Sequence, residues 1–364
     1  MTYNWEERWR KLCAAMLDAG LEVLDAAPDD DLIRAEGLRY VARLFRYGAG
    51  TQLENKPTAA PVFNFEGARI GGDNPDYRYG AASLDGALSY VLTIRSNDAA
   101  RLGIGTYSGG LGTGKGLLCD GYLNSEDLVP EPDGSFKIVI SSANDANASN
   151  HLPKGAETNS LLIRETLVRP GTDRPAEMAI ACTTPDARDR PMGPDDLDTA
   201  LARLAPFLRG TVKQFLGWTE AFAATPNQIH PLDPSFLAAA QGDARTLYHN
   251  GYFELPDAET GLEVRFTPPS CRYWNLQGTS HWLESFDPVG APVNLNNVTA
   301  TVEADGSIRA IIALSDPGIP NWIDTAGHLR GCIALRVIGA GPGVQPLTPR
   351  CSLVNLAELR KGIS

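Results

Sequence analysis

Two stretches of this chain repeat each other about half its length apart. Glu131-Pro132-Asp133-Gly134-Ser135-Phe136-Lys137-Ile138-Val139-Ile140 matches Glu303-Ala304-Asp305-Gly306-Ser307-Ile308-Arg309-Ala310-Ile311-Ile312. Further on, Asn150-His151-Leu152 matches Asn321-Trp322-Ile323, and Ile163-Arg164 matches Leu335-Arg336. The offsets are 172 (303 − 131), 171 (321 − 150) and 172 (335 − 163), so the copies stay in register with one small gap. Each copy opens on an Asp-Gly turn feeding an apolar strand, the local grammar of a β-hairpin. A chain with this pattern has to build the same β unit twice.

The rest of the sequence fits that frame. Short β-rich runs such as Tyr90–Ile94, Leu161–Arg164 and Met178–Ile180 are bounded by Gly, Pro, Asn and Asp, the signature of sandwiches and barrels. The N-terminus reads differently. Asn4 is placed to cap a helix with Glu7 three residues on, and Trp5, Trp9, Leu12, Met16, Leu17, Leu21 and Leu24 recur at helical spacing. A second helix follows Pro28-Asp29-Asp30-Asp31, with Leu38, Val41, Leu44 and Phe45 as its packing face. Both apolar stripes are expected to be packing surface. Residues from about 195 to 224 return to helix, with a break or kink expected at Pro206 and Gly210. The expected fold is mainly β with helices (α+β): two related jelly-roll-like β-sandwich domains with N-terminal and central helices. The spans are 1–56 for the N-terminal helices, 57–190 for the first sandwich, 191–250 for the central helices and 251–364 for the second sandwich.

Composition narrows the partners. A formal charge of −12 opposes binding to nucleic acid or to anionic membrane surfaces. No stretch approaches the roughly 20 apolar residues of a membrane span, and the first residues lack the pattern of a secretory signal. The six cysteines form no CxxC pair and read as reduced thiols. The expectation is a cytoplasmic protein acting on a small molecule, with no cofactor and no resident metal, and with a homodimer as the default assembly.

Four segments resemble one bacterial family: Arg34–Tyr40, Gly71–Asp76, Cys271–Asn275 and the long block Asp316–His328. The family is known as domain of unknown function twelve-fourteen, and the likeness covers nearly the whole chain. The resemblance implies jelly-roll-like β-sandwiches, in agreement with the repeat, and implies little about chemistry. At His151 the family more often places Trp, as the second copy here does at Trp322.

Candidate chemistry rests on scattered residues. Asp324 and His328, four apart across a glycine, can set a carboxylate beside an imidazole and fix its tautomer, or can equally satisfy backbone groups in a loop. The strand Arg272–Gln277 places Arg272 and Trp274 on one face and Tyr273, Asn275 and Gln277 on the other. Polar groups on the inner side of a sandwich need partners, and a ligand is one option. His281 and Trp282 follow closely, and His151 lies in a polar loop. Tyr77 and Tyr79 can donate phenolic hydroxyls into a cleft or cap the first sheet. Gly109–Lys115 has nearly the spacing of a phosphate-binding P-loop, but Gly116 stands where Ser or Thr should follow and a strand is expected next. It therefore reads as a hairpin loop, able to cover a pocket.

Two classes of function remain. One is a cofactor-independent lyase or isomerase working by general acid–base catalysis on a hydrophobic aromatic molecule. His328, Asp324, Tyr273, Arg272 and His151 are its catalytic candidates, and Trp274, Asn275, His281, Trp282, Trp322 and Tyr79 its binding candidates. A concrete form releases formaldehyde from a lignin-derived aromatic dimer. The other is a non-catalytic binder of a carbohydrate or hydrophobic metabolite. A closed pocket holding titratable groups of shifted pKa favours the first, and exposed Trp without such groups favours the second.

Overall fold

The computed structural model describes residues 3–54, 56–143, 147–169, 171–239, 242–243, 245–287 and 292–361. Two long helices, α1 (Trp5–Ala26) and α2 (Asp31–Gln52), come first. Asn4 caps α1 through Glu7 N at 3.0 Å, and Asp30 caps α2 by accepting from Leu32 N and Ile33 N. The first β unit follows as β1 (Tyr77–Ser83), β2 (Tyr90–Arg95), β3 (Arg101–Gly109), β4 (Leu117–Asn124), β5 (Phe136–Ser141), β6 (His151–Pro153), β7 (Thr158–Thr166) and β8 (Glu177–Cys182). Then come α3 (Pro194–Ala223), β9 (Gln228–Pro231) and the short α4 (Pro234–Ala239). The second unit is β10 (Thr246–Glu254), β11 (Thr260–Phe266), β12 (Tyr273–Thr279), β13 (Asn294–Asn296), β14 (Ile308–Ala313), β15 (Trp322–Asp324), β16 (Arg330–Ile338) and β17 (Arg350–Asn355), closed by α5 (Leu356–Lys361).

The duplication is complete at the level of topology. The first unit has sheets β1-β7-β3-β4 and β6-β5-β2-β8. The second has β10-β16-β12-β13, extended by β9, and β15-β14-β11-β17, the same order strand for strand. Even the parallel pairs, β5 with β6 and β14 with β15, recur. Each unit is a sandwich with its own apolar core. Leu92, Ile104, Ile138 and Ile163 fill the first, and Phe253, Leu276, Ile312 and Leu335 the second. Alternation along each strand sends every other side chain to that core, which is why these runs read as strands.

One asparagine in each copy shows why the repeat survived in sequence. Asn150 accepts from Val129 N and donates to Val129 O and Lys137 O. Asn321 makes the same three bonds with Thr301 N, Thr301 O and Arg309 O. Each stitches a strand entry to a loop whose backbone would otherwise lack partners.

Helices α1, α2 and α3 share a separate apolar core into which Trp282 reaches, with its indole donating to Ile33 O at 2.8 Å. The buried face of α1 is Leu12, Ala15, Ala19 and Val23, whereas Trp5, Trp9, Met16, Leu17 and Leu21 are exposed. Leu38 of α2 is exposed too, while Val41 and Leu44 are buried. The expected stripes are therefore corrected at those positions: the face of α1 that packs against α2 and α3 is built on small residues that bring the helices close. Helix α3 runs through Pro206 and Gly210 as one assigned helix. Gly210 is needed for close approach, because a Cβ there would overlap the backbone of Gly112 in the β3–β4 hairpin. The strands β9 and β10 join the second sandwich, which therefore begins inside the span 191–250 read from sequence as helical.

Candidate functional site between the two sandwiches

Strand register decides what the two sandwiches show each other. Tyr79 on β1 lies opposite Arg164 on β7, and Arg164 lies opposite Gly103 on β3. In the second copy Tyr248 on β10 lies opposite Arg336 on β16, and Arg336 lies opposite Asn275 on β12. Directly opposed residues share a sheet face, and Ile163, Ile104 and Leu335 occupy the opposite, core-facing side. Each sandwich thus turns one Tyr–Arg pair outward. The two pairs line a single cavity of about 1170 Å³, closed on a third side by Phe207, Phe215 and Trp218 of α3.

Arg336 is fully engaged. It donates to Gln277 Oε1 at 2.9 Å and to Gly72 O, and Gln277 in turn donates to Asp73 O at 2.7 Å. Asp76 accepts from Tyr273 (2.8 Å), Asn294 (2.8 Å) and Asn296 (2.9 Å), and Asn74 bonds both Tyr273 and Asn275. The loop Asp73–Asp76 is therefore a polar wedge from the first half docked on the second sandwich. The carboxyls of Asp73 and Asp76 are pushed above the usual range by burial, against the pull of their donors and of the Arg336 charge.

Arg164 is placed quite differently. Its guanidinium donates to the Tyr107 hydroxyl at 2.7 Å and lies 5.6 Å from the centre of that ring. No carboxylate stands within ion-pair distance of it among the described residues. Guanidinium does not surrender its proton in proteins, so this side chain presents a fixed positive charge to the cavity. Around it stand phenols. Burial raises the pKa of Tyr77, Tyr79, Tyr107 and Tyr122, which keeps them protonated and able to donate at neutral pH. Tyr79 Oη accepts from Asn74 N at 3.0 Å, while the Tyr77 hydroxyl makes no hydrogen bond among the described residues. Both tyrosines line the cavity. The glycines opposite make room: a Cβ on Gly103 would overlap the Tyr122 hydroxyl, and one on Gly105 would fall 2.6 Å from the Tyr107 ring.

Of the residues singled out from sequence, Tyr79 reaches the cavity, and Tyr273 and Asn275 belong to the buried network behind its wall. Trp274 faces the second core, edge-on to Phe266. Arg272 is exposed, and Trp282 sits among the helices. His281 bonds the Tyr252 hydroxyl at 2.8 Å, and burial lowers its pKa to about 4. The carboxylate beside His328 is that of Glu36, at 2.7 Å, and the other ring nitrogen meets Thr325 O. Asp324 instead accepts from Ala326 N at 2.8 Å, closing a turn. Trp322 donates to Ala313 O, and His151 meets Ser141 Oγ at 3.0 Å, both on outer sheets. The structure does not gather these histidines and Asp324 into one site. Arg164, Arg336 and Tyr248 escaped the sequence reading as site residues. A signal was there: the repeat aligns Arg164 with Arg336, and a charge on the same face of two duplicated apolar strands needs a partner.

A solved structure of an uncharacterized protein from Burkholderia cenocepacia superposes with a TM-score of 0.90 at 35% identity, over 96% of this chain and 97% of that one. The chain belongs to the same family as that protein. The VPA0106 protein from Vibrio parahaemolyticus, at 13% identity, covers 86% of this chain and 96% of its own, with a TM-score of 0.50, and shares the fold alone. No family model and no curated protein matches the chain. Among the described residues no helix is long and apolar enough to cross a membrane, and no cluster of three metal-ligating side chains occurs.

Proposed function

We propose that the cavity between the sandwiches binds an aromatic small molecule carrying one acidic group and acts on it by acid–base chemistry, as a lyase or isomerase. The observation that supports this reading is Arg164, a half-buried cation that meets a phenol and, among the described residues, no carboxylate in a cavity lined by aromatic rings. A carboxylate or phenolate of the ligand supplies the missing counter-charge through a charge-assisted pair. The apolar body then lies against Phe215, Trp218 and Leu162.

The unpartnered Tyr77 hydroxyl is the proton donor in this reading, set to stabilise negative charge that develops on a substrate oxygen. Asp73 is a half-buried carboxyl of the lining and the candidate acceptor, its pKa raised by burial. Release of formaldehyde from a lignin-type dimer is one reaction of this class. The alternative, a pure binder, has the same requirement for Arg164 but none for Tyr77.

The test is a panel of aromatic acids and phenolic dimers, read by calorimetry for binding and by mass spectrometry for products. Arg164→Gln is expected to weaken binding at least about tenfold. Tyr77→Phe is expected to keep affinity and lower turnover by about a hundredfold. Binding unaffected by Arg164→Gln overturns the reading, and binding without any product on wild-type protein leaves the binder.

A further inference from the structure

The mouth of the cavity carries its own charge pattern, and the acidic chain makes it unexpected. Arg46 of α2, Lys115 of the β3–β4 hairpin and Arg203 of α3 are exposed members of the lining, joined by the half-buried Lys56. None makes an ion pair among the described residues, although carboxylates outnumber cations 44 to 32 along the chain. Glu66 and Glu157 are the exposed carboxylates of the same lining, so its exposed charges are three cations against two anions.

The cations converge because their elements do. A Cβ at Gly48 of α2 would fall 2.6 Å from Leu204 and 2.8 Å from Phe207, so α2 and α3 touch there. Gly112 at the hairpin tip, at φ +67°, would place a Cβ 2.7 Å from Phe207 O. The three elements therefore meet around Phe207, and Arg46, Arg203 and Lys115 each lie within a few residues of that junction. The hairpin is glycine at 109, 110, 112, 114 and 116, which lets its backbone come close to a bulky anion. Its Gly110 N–Gly116 O bond at 2.9 Å closes the loop, and Lys115 projects from it at the opening.

We propose that this rim is a subsite for a phosphate or diphosphate group on the ligand whose aromatic body fills the cavity. The inference rests on the reading of the cavity above and extends it. Clustered Arg and Lys with no internal counter-charge favour multiply charged phosphate over a single carboxylate. The inner cation, Arg164, takes the acidic or carbonyl oxygen of the body, and the rim takes the tail.

Three probes test it by calorimetry: inorganic pyrophosphate, 3-phenylpropanoate and benzoyl-coenzyme A, which joins a diphosphate to an aromatic body. Pyrophosphate is expected to bind wild-type protein, weaken steeply as salt rises, and lose about tenfold in affinity in the surface double variant K115E/R203E. Arg164→Gln is expected to leave pyrophosphate unchanged and to weaken phenylpropanoate. Benzoyl-coenzyme A is expected to bind more tightly than pyrophosphate and to respond to both variants. Absence of pyrophosphate binding, with phenylpropanoate retained, overturns the rim subsite while the cavity reading stands. Loss of phenylpropanoate binding alone overturns the cavity reading instead. Benzoyl-coenzyme A no tighter than pyrophosphate overturns the link between tail and body.

Discussion

Arg164 and Arg336 descend from one position of a duplicated unit, share a strand register and face one cavity, yet one is an open charge and the other a structural tie. The difference lies in their neighbours. Beside Arg336 the strand β12 offers Asn275 and Gln277, and Gly72 and Asp73 supply backbone carbonyls, to Arg336 and to Gln277 respectively. Beside Arg164 the equivalent strand β3 has Gly103 and Gly105, so the space goes to Tyr122 and Tyr107. The wedge loop precedes β1 in the chain and can satisfy only one of the two arginines. Duplication gave two identical charges, and divergence spent one on holding the halves together.

The sharpest way to break this contrast is to remove each arginine in turn. Arg336→Met leaves two buried acceptors, Gln277 Oε1 and Gly72 O, without their donor and is expected to cost about 3–5 kcal/mol, seen in denaturant melts. Arg164→Met removes a charge that has no ionic partner, so its effect on stability is expected to stay under about 1 kcal/mol while anion affinity collapses. Equal destabilisation by the two would erase the distinction.

The paired asparagines sharpen the comparison from the other side, because there the copies agree. Asn150→Ala and Asn321→Ala each lose three bonds to loop backbone, and each is expected to cost about 2–4 kcal/mol by the same melts. A large cost in one copy alone would show that the sandwiches do not share their structural logic.

The smallest expected effect concerns the block that most resembled a catalytic pair. His328 is buried, which would lower its pKa, but the hydrogen bond and charge of Glu36 outweigh that and raise it above 6.5. The stabilisation it gives is therefore present below about pH 6.5 and lost as the pH climbs through the raised value. The stability difference between the protein and a His328→Gln variant is expected to shrink as the pH rises above about 6.5. A difference that grows with pH would show the imidazole is held neutral. In the first copy the corresponding stretch carries Glu157, exposed at the cavity rim.

Much of the fold could be read from local rules. Asp133 and Asp305 each accept from the serine two residues on, the same turn in both copies, and such turns announce themselves by sequence. The exposed stripe of Trp5, Trp9, Leu17 and Leu21 could not be read correctly, because periodicity shows that a helix has an apolar face without showing which neighbour arrives. The site was less legible still. Tyr77 and Tyr79 were recognisable as possible hydroxyl donors to a cleft, and Arg164 was visible as a matched residue, but no local pattern tells a tied arginine from a free one.

By itself the sequence determined a β unit built twice, its turns, its strand alternation and the helices that join the copies, since these depend on residues close along the chain. Only the tertiary structure decided that the two outward sheet faces enclose a cavity, that Gln277 and Gly72 O tie Arg336 down, and that Arg164 is left to phenols. Those outcomes depend on which groups meet across 57 residues of chain at Arg164–Tyr107, 197 at Asp76–Tyr273 and 264 at Gly72–Arg336. Charge compensation is a property of that meeting and is written in no single segment.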